Sequence, residues 1–413
     1  MNDKMNNTEK QALVDWNSLS LGKLTLSSDY GTSKKTNDNT GIPVLRMGNM
    51  KDGKIVLDNL VFLELENSEF QRLKLYPGDI LINRTNSADL VGKVSIFDLD
   101  GDYVCASYIV RFKINQEIIN PYYLNYYMNM SDSQNRIKTI ATQAIQQANI
   151  NPTTLKKSFI VKFPKSKHEQ DKIVKIISTW DKAIELKEKL IDEKKKQKAG
   201  LMQKLLTGNV RFTGFNDAWE EVKFGKVFKF LNKERVSEPQ NYKLLTVKLH
   251  LKGIEATEKY PNDTKNGRPY YLREPNEILI GRQNYHNGGI GIVPSNMKNY
   301  IASNAISSLT TIKGDLMFLF YYISNVDFYK RVGHMIGGTG QKEISETTMK
   351  NLVLRIPKSL EEQKKIGEVL KTADNEIDLL EKELESLKQQ KKGLMQLLLT
   401  GIIRVNTQEN EKR

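Results

Sequence analysis

The chain has 413 residues, too many for one compact core, so two or three domains are expected. Its 63 Lys and Arg outnumber 49 Asp and Glu, and the net charge of +14 favours a polyanionic partner, nucleic acid ahead of a membrane surface. A single cysteine, Cys105, excludes a disulfide framework and a cysteine-built zinc site. The polar N-terminus and the lack of any long apolar stretch predict a cytoplasmic protein that neither spans a membrane nor is exported.

An internal repeat organises the chain. Residues 163–211 align without a gap to residues 356–404, and about half of the positions are identical. Each copy has a Ser near its start that can cap a helix, Ser166 or Ser359, and ends at a Thr-Gly that can form a left-handed cap. The predicted segments are a polar N-terminus (1–15), a module (16–163), a helix (164–208), a second module (209–356), a second helix (357–401) and a polar tail (402–413).

Each repeated helix carries apolar residues at the three- and four-residue spacing of a coiled coil. In the first helix these are Ile177, Trp180, Ile184, Ile191, Leu201 and Leu205. In the second they are Leu370, Ile377, Leu380, Leu384, Leu387, Leu394 and Leu398. Four lysines interrupt this pattern, namely Lys187, Lys194, Lys198 and Lys391.

Charge predicts the orientation of the two helices. Parallel pairing would place the basic run 194–198 beside the basic run 388–392, whereas antiparallel pairing places it beside Asp378, Glu381 and Glu383. We therefore expect a two-helix antiparallel coiled coil. The modules between the helices have short β-rich runs bounded by Gly, Pro, Asn and Asp, and each has one more helix near its end, predicted at 121–130 and 316–328. The fold class is α+β, with two mixed modules alternating with two long helices.

Catalytic motifs are missing from the sequence. It has no phosphate-binding loop, no nucleophile elbow, no His or Cys at metal-ligand spacing, and neither the base-holding motif of amino-methyltransferases nor an acidic nuclease motif. The chain is therefore predicted to be non-catalytic. Two alternatives stay open: a self-contained site-specific DNA methyltransferase or nuclease, and a coiled-coil scaffold that binds protein or RNA.

Each module carries polar residues that can read DNA bases, directly after a strand-like Ile-Leu-Ile. Arg can bond guanine with two hydrogen bonds, and Asn or Gln can do the same with adenine. The clusters are Arg84, Thr85 and Asn86 in the first module and Arg282, Gln283, Asn284 and Tyr285 in the second. A further cluster precedes each repeated helix, Gln146, Gln147 and Asn149 in the first module and Gln341 and Lys342 in the second. These are the predicted DNA-binding residues; the alternative is that they are solvated turns.

The two copies of Pro-Lys-Ser-x-x-Glu-Gln and Gly-Leu-Met-Gln-x-Leu-Leu-Thr-Gly resemble the specificity subunit of Type I restriction-modification enzymes. The resemblance implies that the modules are target recognition domains, each reading one half of a bipartite asymmetric site on double-stranded DNA. It implies that the helices are a spacer and a docking surface for two methyltransferase subunits, through which restriction subunits join. S-adenosylmethionine, ATP and Mg are then expected on the partner subunits, with no cofactor and no metal on this chain.

Overall fold

The structure, a computed structural model, describes residues 15–37, 39–87, 90–143, 147–261, 268–334 and 343–406. The predictions at Gln146, Gln341 and Lys342 lie outside the described residues. The chain divides into two compact units, Met1–Lys187 with Glu383–Arg413, and Glu188–Lys382. This division differs from the predicted segments, because each unit combines one module with part of both long helices.

The first unit is built from short strands and helices. Its strands are β1 (Trp16–Ser20), β2 (Thr25–Tyr30), β3 (Ile42–Leu45), β4 (Met50–Lys51), β5 (Lys54–Ile55), β6 (Val61–Leu63), β7 (Ile80–Asn83), β8 (Thr85–Asn86), β9 (Val94–Ile96), β10 (Val104–Cys105), β11 (Ile109–Ile114), β12 (Thr142–Gln143), β13 (Ala148–Asn149) and β14 (Ile160–Pro164). Its helices are α1 (Asn67–Leu73), α2 (Pro121–Asn129), α3 (Ser131–Ile140) and α4 (Pro152–Ser158). The long helix α5 (Lys167–Leu205) follows.

The second unit repeats this plan. Its strands are β15 (Glu220–Lys223), β16 (Phe228–Phe230), β17 (Lys243–Val247), β18 (Ile254–Ala256), β19 (Tyr270–Arg273), β20 (Ile278–Gly281), β21 (Ile290–Ile292), β22 (Tyr300–Ser303), β23 (Ile306–Thr311) and β24 (Val353–Ile356). Its helices are α6 (Phe224–Val227), α7 (Leu316–Ser324), α8 (Val326–His334) and α9 (Glu346–Lys350). The second long helix, α10, spans Leu360–Leu399.

The central sheets of the two units have the same strand order. The central sheet runs β2-β11-β7-β9 in the first unit and β16-β23-β20-β21 in the second, antiparallel throughout. The central strand is buried on both faces: Ile80 and Ile82 face one apolar core and Leu81 the other, as do Ile278 and Ile280 against Leu279. The Ile-Leu-Ile pattern is therefore the signature of a strand between two cores.

Most helix predictions are confirmed. Ser166 Oγ accepts from Glu169 N at 3.4 Å and Ser359 Oγ accepts from Glu362 N at 3.3 Å at the starts of α5 and α10. Beyond their ends, Gly208 has φ +74° and Gly401 has φ +77°, the left-handed caps that were predicted. The predicted helix at 316–328 is wrong as a single element, because the chain turns at Asn325 and begins α8 there.

The two long helices are antiparallel, as predicted. In the first unit Lys187 pairs with Glu383 at 2.8 Å and Asp181 with Lys391, so numbers rise along α5 while they fall along α10. The second unit shows the same order, with Lys194–Glu376 and Lys195–Glu381 both at 2.6 Å.

Most of the predicted coiled-coil positions are buried or partly buried. The buried ones are Ile177, Ile191, Leu205, Leu370, Ile377 and Leu398. The partly buried ones are Trp180, Ile184, Leu380, Leu384, Leu387 and Leu394. The prediction of Leu201 as a coiled-coil position is wrong. Its side chain is 38% exposed, and Met202 packs against the apolar core instead. Within the described residues, no helix combines the length and apolarity that crossing a membrane requires.

Candidate nucleic-acid interface

In the first unit, the two predicted polar clusters lie in one small sheet. Strand β8 pairs antiparallel with β13, which places Thr85 opposite Asn149. The carbonyl of Arg84 accepts a hydrogen bond from Ile150 N at 2.8 Å. Residues that are more than sixty positions apart in the sequence therefore form one continuous surface at the end of the central strand β7.

Neighbouring groups hold the polar side chains of this surface in place. Thr85 Oγ1 donates to Asn149 Oδ1 at 3.3 Å, and Asn86 Oδ1 accepts from Ser87 N at 2.8 Å. Thr85 and Asn86 are half-buried, whereas Gln147 and Asn149 are exposed. The exposed amides can reach base edges or phosphates, and their contact with DNA stays a prediction.

Arg84 lies against an aromatic ring that the sequence did not single out. Its guanidinium carbon is 4.9 Å from the ring centroid of Tyr30, which is 49% exposed. Among the described residues, no carboxylate pairs with Arg84. The Nε of Arg84 is buried, so the donors that a stacked guanidinium without an acidic partner could offer to guanine or phosphate are those of its terminal nitrogens.

The second unit places Arg282 at the equivalent backbone position but in a different electrostatic environment. Its carbonyl accepts from Ile344 N at 3.3 Å, as that of Arg84 accepts from Ile150. Its Nε, however, lies 2.5 Å from Glu343 Oε1, and its Nη1 lies 3.9 Å from Glu346 Oε1. The expectation that Arg282 presents free donors is therefore wrong for this structure, because two carboxylates already neutralise its charge.

Tyr285 is not a surface residue. It lies in the short 3-10 turn Tyr285–Asn287, is fully buried, and donates from its hydroxyl to Ile323 O at 2.7 Å. Burial raises its pKa well above the usual value. Placing Tyr285 among the DNA-contacting residues is therefore wrong, because it is a core residue that anchors the loop that follows β20. Asn284 is exposed and Gln283 is half-buried.

The motif residues that are identical in both repeats form buried ion pairs. Arg404 donates from Nε and Nη2 to Glu169 at 2.6 and 2.7 Å, and Arg211 donates to Glu362 at 2.8 Å from both nitrogens. The Glu side chains are 3% and 1% exposed. Each Arg follows the end of one long helix and pairs with the first turn of the other. Their identity across the repeat was the signal in the sequence for this role.

The basic excess on α5 matches acidic residues on α10. Lys187, Lys194, Lys195 and Lys198 all pair with carboxylates of α10, the last of them with Asp374. The ammonium groups of these four lysines are therefore engaged by carboxylates of the other long helix.

Metal-binding chemistry has no support in the residues that the structure describes, where no group of three His, Cys, Asp or Glu side chains could hold an ion. Cys105 is buried, and its burial raises the thiol pKa to about 12.

Comparison with known proteins identifies relatives along nearly the whole chain. A family model described as the Type I restriction modification DNA specificity domain matches residues 14–195 and 216–389. The putative type I restriction enzyme MjaX specificity subunit of Methanocaldococcus jannaschii is 31% identical over 391 residues, 91% of this chain and 90% of the relative. The MjaVIII specificity subunit of the same organism is 29% identical over 331 residues, 73% of this chain and 75% of the relative.

A solved structure has the same fold. The S subunit of a Type I restriction-modification system from M. genitalium superposes with a TM-score of 0.58 at 16% identity, over 96% of this chain and 98% of that chain.

Proposed function

Since the chain belongs to the Type I restriction-modification DNA specificity family, we propose that each of its modules reads one half of a bipartite, asymmetric site on double-stranded DNA. The chain is a specificity subunit with two DNA specificity domains in tandem. The observation that carries the proposal is the equivalent placement of Arg84 and Arg282, each at the end of a central strand and beside the segment that precedes a long helix. One arginine in each module, placed in this way, would allow the two modules to contact two separate groups of bases.

We further propose that the helices dock two methyltransferase subunits, through which restriction subunits join. Ile177 and Leu398 lie in one apolar core and Leu205 and Leu370 in another, so a docked subunit would contact exposed apolar residues instead. Leu186, Leu190 and Leu379, which are 55%, 41% and 60% exposed, are the candidates for that contact. S-adenosylmethionine, ATP and Mg²⁺ would be bound by those partner subunits, and adenine methylation and cleavage would take place there.

The test is to map methylated adenines in DNA that has been exposed to this chain together with its methyltransferase partner. We expect two short motifs separated by a constant gap. A methylation pattern that is independent of this chain, or one uninterrupted motif, would contradict the proposal.

The same preparation tests the alternatives. Methyl transfer or nicking by the isolated chain would indicate a self-contained enzyme. Equal binding of RNA and of unrelated duplexes at moderate salt would indicate a general scaffold.

A further inference from the structure

In the first unit, three side chains join the module to both long helices. Tyr126 of α2 donates from its hydroxyl to Asp181 Oδ2 of α5 at 2.6 Å. The other carboxylate oxygen of Asp181 accepts from Lys391 Nζ of α10. The Lys391 ammonium also lies 5.7 Å from the ring centroid of Tyr126. Each of the three residues therefore contacts the other two.

The second unit contains the same triad with the roles of the helices exchanged. Tyr321 of α7 donates to Asp374 Oδ2 of α10 at 2.6 Å, and Lys198 of α5 pairs with the same carboxylate. The Lys198 ammonium is 5.5 Å from the Tyr321 ring centroid. The Asp and Lys of the two triads occupy equivalent repeat positions, so the arrangement occurs twice.

Stability alone does not explain these polar residues. Lys391 and Lys198 interrupt the apolar coiled-coil pattern, and the side chains of Asp181 and Lys391 are only 13% and 20% exposed. A partly buried ion pair is often no more stabilising than apolar residues of the same size. What it adds is direction, because a hydrogen bond to a carboxylate constrains angle and distance, whereas apolar contacts are non-directional.

The triads are connected to the recognition clusters. Asn129 of α2 donates to Val94 O of β9, and β9 pairs with β7, the strand that leads into Arg84. In the second unit, Ile323 of α7 accepts the hydroxyl of Tyr285, which follows Arg282 in the recognition loop. In both units, therefore, the helix that carries the Tyr of the triad is hydrogen-bonded to the part of the module that holds Arg84 or Arg282.

We propose that Tyr126–Asp181–Lys391 and Tyr321–Asp374–Lys198 are positioning devices that hold each module at one angle to its section of the helix pair. In doing so they determine how strictly the protein selects the gap length of its DNA site. The proposal rests on the bipartite function proposed above. Burial and the adjacent Asp181 raise the pKa of Tyr126, so its hydroxyl stays protonated and remains a donor.

The experiment measures gap selectivity with the full chain and its methyltransferase partner. The probe is a DNA library in which the mapped half-sites are separated by every gap within three base pairs of the native one. We expect Tyr126→Phe to raise methylation of non-native gaps relative to the native gap by roughly tenfold, the effect of one hydrogen bond to a charged acceptor. Recognition of the half-site sequences should be unchanged.

Tyr122→Phe is the matched control. Tyr122 lies on the same helix, is 38% exposed, and its hydroxyl makes no hydrogen bond with the described residues, so its gap profile should equal that of the wild type. Asp181→Asn is the second variant: it keeps an acceptor for Tyr126 but loses the charge pair with Lys391, and we expect an intermediate relaxation. It also provides the test if Tyr126→Phe fails to fold.

The outcomes separate the two proposals. A wild type with a strict gap, together with variants whose profile is unchanged or whose methylation falls equally at every gap, overturns the positioning role alone. A wild type without a bipartite site overturns the proposed function and the positioning role with it.

Discussion

The two units share their framework and differ at their candidate DNA surfaces. The buried Glu–Arg pairs and the Tyr–Asp–Lys triads occur in both units with nearly the same geometry. The recognition arginines occupy equivalent backbone positions, but Arg84 stacks on Tyr30 whereas Arg282 pairs with Glu343. The features that occur in both units form the shared framework. The features that differ lie at the surfaces where we propose that the two modules read different bases.

The largest expected effect concerns the coiled coil. Leu205 is 4% exposed, so Leu205→Ala should lower the free energy of unfolding by about 2–5 kcal/mol through lost burial and a residual cavity. Leu201→Ala should lower it by only about 1 kcal/mol, because Leu201 is 38% exposed and belongs to none of the buried apolar cores. Urea unfolding of both variants measures the difference. If both variants lost the same free energy of unfolding, Leu201 would be a coiled-coil core residue, as the sequence predicted.

The next effect tests whether the Glu–Arg pairs belong to the framework. Arg404→Ala leaves the buried Glu169 carboxylate unpaired, and we expect a loss of about 2–3 kcal/mol, reduced from the full cost of breaking a buried pair because Arg404 is partly exposed. Arg211→Ala should also destabilise the second unit, because it leaves the buried Glu362 carboxylate without its ion-pair partner. Denaturation curves report both losses, and Lys196→Ala, which removes one exposed pair, is the control. If Arg404→Ala had the same free energy of unfolding as the wild type, the Arg404–Glu169 pair would not contribute to the stability of the framework.

DNA binding distinguishes the two surfaces. Arg84→Ala should weaken binding by about 1–3 kcal/mol and relax one half of the site. Arg282→Ala should reduce sequence specificity in the other half of the site. Its loss of binding free energy should be smaller than that of Arg84→Ala, because DNA must first displace Glu343 and Glu346 from Arg282. Glu343→Gln should strengthen binding through that half. Titration of the methyltransferase complex with duplexes altered in one half at a time measures all three. Relaxation of the same half by both arginine variants would refute the assignment of modules to half-sites.

The smallest effect concerns Tyr285. Tyr285→Phe removes the hydrogen bond to Ile323 and should cost about 1 kcal/mol of stability, while the DNA sequence that is read stays the same. Thermal unfolding and methylation mapping check the two parts. If the variant recognised a different DNA sequence but unfolded at the same temperature as the wild type, Tyr285 would have to be a DNA-contacting residue after all.

Local and repetitive features were predictable from the sequence. The caps at Ser166 and Gly208 depend on residues within one helical turn, and the antiparallel pairing follows from charges spread along two helices. The family resemblance was equally accessible, because the repeated motifs are contiguous. The candidate site was predicted only as separate polar clusters. That Thr85 and Asn149 pair in one small sheet is a long-range contact that the structure alone shows.

The sequence by itself determined the repeat, the long helices and their orientation, because these depend on spacing and charge along the chain. Only the tertiary structure decided which polar residues are available. Arg282 is neutralised by Glu343, Tyr285 is buried against Ile323, and Lys391 serves a triad with Tyr126, and each of these contacts joins residues far apart in the chain. Exposure and pairing depend on which distant segments pack together, and local sequence patterns do not encode that.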